Sequence, residues 1–290
     1  MNLLWLGDPK SFDAALVGGK AANLSRLARA FHRVPDGFCI PATALHEMHP
    51  SDLYDDVVTA VSMLMACHGL AELVTAVRSS AVDEDSADAS FAGQHETYLN
   101  IVGVEAIIQA IAQCWQSAHS ERALAYRRQQ GLTSERPQIA VLVQQLVAAD
   151  SSAVVFSANP VTGERDLIMI NASWGLGESI VGGTVTPDTF VVSKPEQTIS
   201  SRIIADKQHM TVAVPGGTLE VDVPRFLRSQ ASLNDEQVLE IAQLALTLEK
   251  AMGIPVDVEC AYADGTLYLL QCRPITTLTQ HTAYIVHTST

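Results

Sequence analysis

Cysteine is scarce in this chain of 290 residues, and the five present (Cys39, Cys67, Cys114, Cys260 and Cys272) lie scattered. None forms a C-x-x-C pair, which argues against zinc and dithiol redox sites and for a reducing cytoplasm. Basic residues are also few: 18 Lys and Arg stand against 32 Asp and Glu, a net charge of −14. Such a surface repels phosphate backbones, so no nucleic-acid partner is expected, although a nucleotide needs only a local basic pocket. No apolar run is long enough to span a bilayer, and Met1-Asn2-Leu3-Leu4-Trp5 lacks the basic start of a secretion signal. Neither a membrane partner nor export is therefore expected. Internal repeats and low-complexity linkers are missing too. The nine histidines have no metal-site or triad spacing, and only His95 sits among other candidate residues. What remains, 48% apolar and 17% charged residues, describes an ordinary globular protein with enough chain to bury a substantial core.

Strand-like and helix-like stretches follow one another without regular alternation, which predicts an α+β fold and not a doubly wound sheet. A helix is expected from Lys20 through Leu27, directly after Gly18-Gly19. Pro35-Asp36-Gly37 reads as a turn before a short strand at Phe38-Cys39-Ile40. Helical periodicity returns near 56–67 and 104–129, with a long polar stretch, 78–96, between them. Strands are expected at 138–146, 153–157, 166–172, 189–192 and 219–221, with Asn159-Pro160-Val161-Thr162-Gly163 as a turn. The strongest helix spans 234–252, with Asn234 as its cap, Glu236 in its first turn, and Gly253 and Pro255 beyond its end. Two lobes are expected, 1–140 and 141–278, followed by a short Thr-rich tail, 279–290.

Three segments carry groups suited to phosphate. Gly18-Gly19-Lys20 precedes a helix, where backbone amides and an ammonium group meet anions, but it is not a P-loop, since Ala21 follows the lysine. Read alone, it is a turn with a surface lysine. Arg78-Ser79-Ser80 followed by Ser90-Phe91-Ala92-Gly93-Gln94 has the makings of a phosphate lid, with a fixed cation and a glycine that permits close approach. Asp83, Glu84, Asp85 and Asp88 equally suit a solvated acidic loop. Gln144-Gln145-Leu146-Val147 ends an apolar strand, either as a plain terminus or as a backbone edge for a purine.

The most telling segment lies near the C-terminus, where Val256-Asp257-Val258-Glu259-Cys260 and Leu267 to Arg273 flank Ala263-Asp264-Gly265. Alternation puts Asp257 and Glu259 on one strand face and Gln271 and Arg273 on another. A two-residue Asp-Gly loop would pair Glu259 with Leu270 and separate the two polar sets. A three-residue loop with Gly265 left-handed would pair Glu259 with Leu269 and gather all four. The second register is the expectation, because it builds a carboxylate–amide–guanidinium cluster able to hold a magnesium-bound polyphosphate. The other reading is an amphipathic hairpin with one wet face.

Six motifs occur in a telling order. Gly18-Gly19-Lys20-Ala21-Ala22-Asn23-Leu24, Val77-Arg78-Ser79-Ser80-Ala81 and Ser90-Phe91-Ala92-Gly93-Gln94 come first. Asn159-Pro160-Val161-Thr162-Gly163, Trp174-Gly175-Leu176-Gly177-Glu178 and Gln271-Cys272-Arg273-Pro274-Ile275-Thr276 follow. From about Leu6 to Thr276 the chain resembles the N-terminal ATP-binding domain of the phosphoenolpyruvate synthase and pyruvate phosphate dikinase family, shared with rifampin phosphotransferase. The resemblance implies an ATP-grasp fold whose two lobes hold ATP and Mg2+ in the cleft between them. It implies that Lys20 and Arg78 contact phosphates, that Gly93 and Thr97 belong to the lid, and that Gln144 lies at the adenine-side hinge. Glu259 and Gln271 would hold magnesium and nucleotide, and Arg273 would meet the transferring phosphoryl group, with Asp257 as a supporting residue or a second acidic one at the metal.

Departures from the family bear on the acceptor. The Gly-x-Thr-Ser-His setting of the family's phosphohistidine domain does not occur here, and no pyruvate barrel follows Thr276. The expected function is thus an ATP-dependent phosphotransferase passing phosphate to a small molecule or to a separate histidine-domain partner protein. An acid-activating ligase and a non-catalytic nucleotide-binding subunit are the alternatives. Joint presence of Lys20, Arg78, Glu259, Gln271 and Arg273 favours the enzyme.

Overall fold

A computed structural model describes residues 2–30, 32–82, 97–121, 123–125 and 138–275, and they divide into two compact units. The first comprises the chain up to Leu146 with Ala213–Thr218. Strands β1 (Leu4–Trp5), β2 (Gly37–Ile40), β3 (Val74–Ala81), β4 (Thr97–Val102) and β5 (Ile139–Gln145) form its antiparallel sheet, in the order β1-β2-β5-β3-β4. Period-two alternation sorts the side chains. Cys39, Ala140 and Leu142 point to one face, against Val17, Ala21, Ala22 and Leu24 of α1 (Ala14–Arg29). Phe38, Ile40, Val77, Val141 and Val143 point to the other, where α2 (Pro50–His68) and α3 (Val104–Ser117) supply Leu53, Val57, Leu64, Ile107 and Ile111. Each such side chain, fully buried, contributes about 1.5–3 kcal/mol. Pro50 and the His49 ring, which accepts from Ser51 N, open α2; Gly69, left-handed at φ 63°, closes it.

β5 is the central strand of this sheet, so the unit boundary falls after Leu146 and not at residue 140. Ala213–Thr218 joins the unit through Asn100, itself left-handed (φ 59°), whose Nδ2 donates to the carbonyls of Val214 and, at 2.9 Å, Gly217.

The second unit holds an antiparallel sheet in the order β13-β12-β6-β7-β8-β9. Its strands are β6 (Ser151–Phe156), β7 (Leu167–Trp174), β8 (Asp188–Ser193), β9 (Thr198–Ile203), β12 (Val256–Ala263) and β13 (Thr266–Pro274). β10 (His209–Val214) and β11 (Gly217–Asp222) pair as a separate ribbon. One face is covered by α4 (Asp235–Met252), which packs across β12, β6, β7, β8 and β9. Val238, Ile241, Ala242, Ala245 and Leu248 of α4 recur at helical spacing. They face buried Val256, Val258, Cys260 and Tyr262 of β12, and Tyr262 Oη donates to Glu240 Oε2 at 2.6 Å. The helix opens with a capping box between Asn234 and Gln237 and ends at left-handed Gly253.

The elements at 38–40, 138–146 and 234–252 are where the sequence places them. The stretch from Arg78 to Ala81 is strand and not polar loop, the helix from 104 ends at Ser117, and β4, β9 and β10 were not anticipated. No helix among the described residues is long and apolar enough to cross a membrane.

Nor does the sequence signal the fully buried ion pair of Lys207 and Asp188. Asp188 Oδ1 accepts from Lys207 Nζ (2.6 Å) and Ala205 N (2.9 Å), and Oδ2 from Ser232 N and Oγ (both 2.8 Å). Each carboxylate oxygen therefore has two donors, the condition under which a buried charge is tolerated. Lys207→Met leaves that carboxylate without its cation. It is expected to lower stability by about 3–5 kcal/mol, read as a fall in the urea midpoint.

Candidate functional site

In the first unit the site begins with a break in α1. Gly18 adopts φ 75° and ψ 165°, a conformation open essentially to glycine alone, and helix resumes from Gly19. A Cβ at Gly18 would lie 2.2 Å from Ser80 O. The glycine therefore lets the chain press onto β3. Ser80 Oγ accepts from Ala21 N (3.1 Å), and the buried Lys20 donates through Nζ to Ser79 O (3.0 Å). Across the sheet Arg78 is opposite Thr97 on β4 and Leu142 on β5, while Gln144 is opposite Ala76. Directly opposed residues share a face, so Arg78, Thr97 and Gln144 lie on the α1 side, where Lys20 is anchored. Gln144 is buried, and its Nε2 donates to Pro35 O at 2.9 Å, tying the end of β5 to the turn before β2. Gly93, the rest of the 90–94 motif and His95 lie outside the described residues.

In the second unit the β12–β13 hairpin corrects the expected turn. Asp264 (φ 49°) and Gly265 (φ 71°) form a two-residue loop that pairs Ala263 with Thr266. Left-handed geometry at both positions is what an Asp-Gly hairpin favours. That register reaches only as far as Cys260 opposite Leu269. An irregularity between Glu259 and Cys260 then leaves Leu270 as an extra residue, so Glu259 faces Gln271 and Asp257 faces Arg273. The expected polar cluster forms, by a β-bulge and not by a three-residue turn.

Alternation sends Val258 and Cys260 toward α4 and the four polar side chains to the opposite face. Burial, with the Glu259 and Glu240 carboxylates nearby, pushes the Cys260 thiol up to about 12, so it is no nucleophile at neutral pH. Arg273 donates through Nε to Asp257 Oδ2 at 2.8 Å, and its Nη2 is ion-paired with the same oxygen at 2.7 Å. Asp257 Oδ1 is buried without a hydrogen-bond partner among the described residues. Burial raises the Asp257 pKa above the ordinary carboxylate value; Arg273 opposes this, and Glu259 adds to it.

On the same face, Asp257 is opposite Phe156 and Glu259 opposite Val154 of β6, and Val154 is opposite Asn171 of β7. Thr189 Oγ1 donates to Asn171 Oδ1 at 3.0 Å. Asn171 was not anticipated. Its signal was a polar residue alternating with buried Ile168, Ile170 and Ala172.

The half-buried Glu259 and the facing Gln271 supply a carboxylate and an amide oxygen. Magnesium is commonly held by one or two carboxylates completed by phosphate oxygens and water, so this pair fits it. Among the described residues no group of three or more His, Cys, Asp or Glu could hold a metal unaided.

Residues 45–290 match the family described as the pyruvate phosphate dikinase, AMP/ATP-binding domain. The chain belongs to this family. Among relatives of this dikinase-domain chain, a probable phosphoenolpyruvate synthase of Pyrococcus horikoshii is 34% identical over 96% of this chain and 44% of its own length. A rifampicin phosphotransferase of Streptomyces sviceus is 36% identical over 91% of this chain and 34% of its own. The chain thus spans less than half the length of these curated relatives. A solved D-alanine–D-alanine ligase from Bacillus anthracis complexed with ATP overlaps 93% of this chain and 57% of that one, at 10% identity and a TM-score of 0.33. So loose an overlap carries no argument. The α+β class and the family are as the sequence indicated.

Replacing Arg273 with Met removes what holds the Asp257 pKa down, leaving burial and Glu259 unopposed. A carboxyl with a raised folded-state pKa weakens the fold as pH rises from the ordinary carboxylate value through the raised one. Arg273→Met is therefore expected to destabilise more at pH 7 than at pH 4, measured by urea unfolding at the two values.

Proposed function

We propose that this chain is an ATP-dependent phosphotransferase module of the ATP-grasp type, acting in the cytoplasm. The observation that carries the reading is the register that sets Glu259 beside Gln271 and Asp257 beside Arg273 on one sheet face. Family membership supports it, as do the relatives named as a synthase of phosphoenolpyruvate and a rifampicin phosphotransferase. Lys20 and Arg78 are assigned to the phosphates of ATP, and Gly93 and Thr97 to the phosphate lid. Gln144, held by Pro35, shapes the adenine-side strand end. Glu259 and Gln271 are assigned to Mg2+, which when bound neutralises phosphate charge and draws phosphate oxygens into a fixed array. Arg273 is assigned to the phosphoryl group in transfer, whose charge spreads over oxygens that a planar guanidinium matches. Phosphoryl transfer needs little covalent help from a protein, only positioning and charge, and these residue types supply both. The acceptor is a small molecule or a separate histidine-domain protein.

The reading is tested by incubating the protein with magnesium and γ- or β-labelled ATP, alone and with a lysate of its source. ADP with a labelled small molecule identifies a kinase, and AMP with a labelled protein identifies a histidine-bearing partner. Binding without turnover in either setting would overturn the proposal. Glu259→Ala and Arg273→Ala are each expected to lower turnover about 10²–10³-fold with an unchanged circular dichroism spectrum. Wild-type-like rates in either variant would dismiss the assigned site.

A further inference from the structure

We infer that Asp257 is a positioning residue that aims the guanidinium of Arg273, and not a ligand of the cation. The inference rests on the assignment of Arg273 to the phosphoryl group. Both oxygens of Asp257 argue for it. Oδ2 already accepts a hydrogen bond from Nε of Arg273 and lies 2.7 Å from its Nη2 in an ion pair. Oδ1 is buried and has no partner among the described residues, so it is closed to a cation that must keep water or phosphate in its shell. The whole residue is 7% exposed, whereas Glu259 on the same strand face is only half-buried.

Two contacts that converge on one oxygen hold the Nε–Nη2 edge of the guanidinium. The group is planar, so fixing that edge also sets the direction of the end that carries Nη1. A guanidinium on a flexible stem would otherwise lose orientation before each transfer, and small misplacement of such a group is costly in rate. Asp257 can do this because β12 is held on both sides: Asp257 is opposite Phe156 on β6 and Arg273 on β13.

The decisive experiment is a mutant cycle of Asp257→Asn and Arg273→Ala, with kcat, KM for ATP and the Mg2+ half-saturation measured for each. Asp257→Asn is expected to lower kcat about 10²-fold while KM and the Mg2+ requirement stay unchanged. The double variant should be no slower than Arg273→Ala alone, because the aspartate has nothing left to aim. A raised Mg2+ requirement, or losses that multiply in the double variant, would overturn the inference. A readout free of turnover separates this from failure of the functional reading itself. In 15N spectra of the nucleotide-free protein, the Arg273 Nε–H signal should be resolved and slow to exchange, and should be lost in Asp257→Ala, which removes the accepting oxygen. A signal that persists in the variant would equally overturn the inference.

Discussion

Glu259 meets Gln271, and Asp257 meets Arg273, because the edge strand β13 takes up Leu270 as one extra residue. Two local demands would otherwise conflict. Asp264-Gly265 favours a two-residue turn, and an unbroken ladder from that turn would direct Gln271 and Arg273 to the side where α4 covers Val258, Cys260 and Tyr262. A guanidinium buried among those side chains would lack water and a partner. The bulge satisfies the turn near its tip and the burial pattern at its base. Everything assigned to cation and phosphoryl group follows from this one irregularity.

In a chain whose net charge is −14, the first unit still sets two cations, Lys20 and Arg78, on the same side of its sheet. Lys20 is almost wholly buried, and its Nζ is already directed by Ser79 O. The break at Gly18 brings helix and strand within contact distance, and Ser80 caps the amide that the break exposes. A cation held in this way has already lost most of its freedom, which on the proposed reading preorganises it for phosphate.

What could be read from the sequence was whatever repeats at the period of its own element. The apolar face of α4 and the continuous strand at 139–145 belong to that class, as do the six motifs that carry the family resemblance. What could not be read depends on partners remote in the chain. Arg78-Ser79-Ser80 looks like loop because its serines are polar. They are buried because Lys20 and Ala21 bond to them, some sixty residues earlier in sequence. Lys207 looks like a surface lysine until Asp188 and Ser232 are found around it. The hairpin shows both limits at once. Its polar set was legible, but the route to it was not, since turn chemistry alone does not reveal where a ladder will slip.

The first unit is not a continuous stretch of chain, since Ala213–Thr218 completes it by accepting two hydrogen bonds from Asn100. During synthesis a chain emerges from its N-terminus at a limited rate, and domains tend to close as they appear. Here the leading sheet has all its strands within residues 4–145, but the Asn100 donors meet their final partners only after residues 213–218 have also emerged. The order of assembly is thus written into the path of the chain: neither unit can be finished entirely before the other is begun.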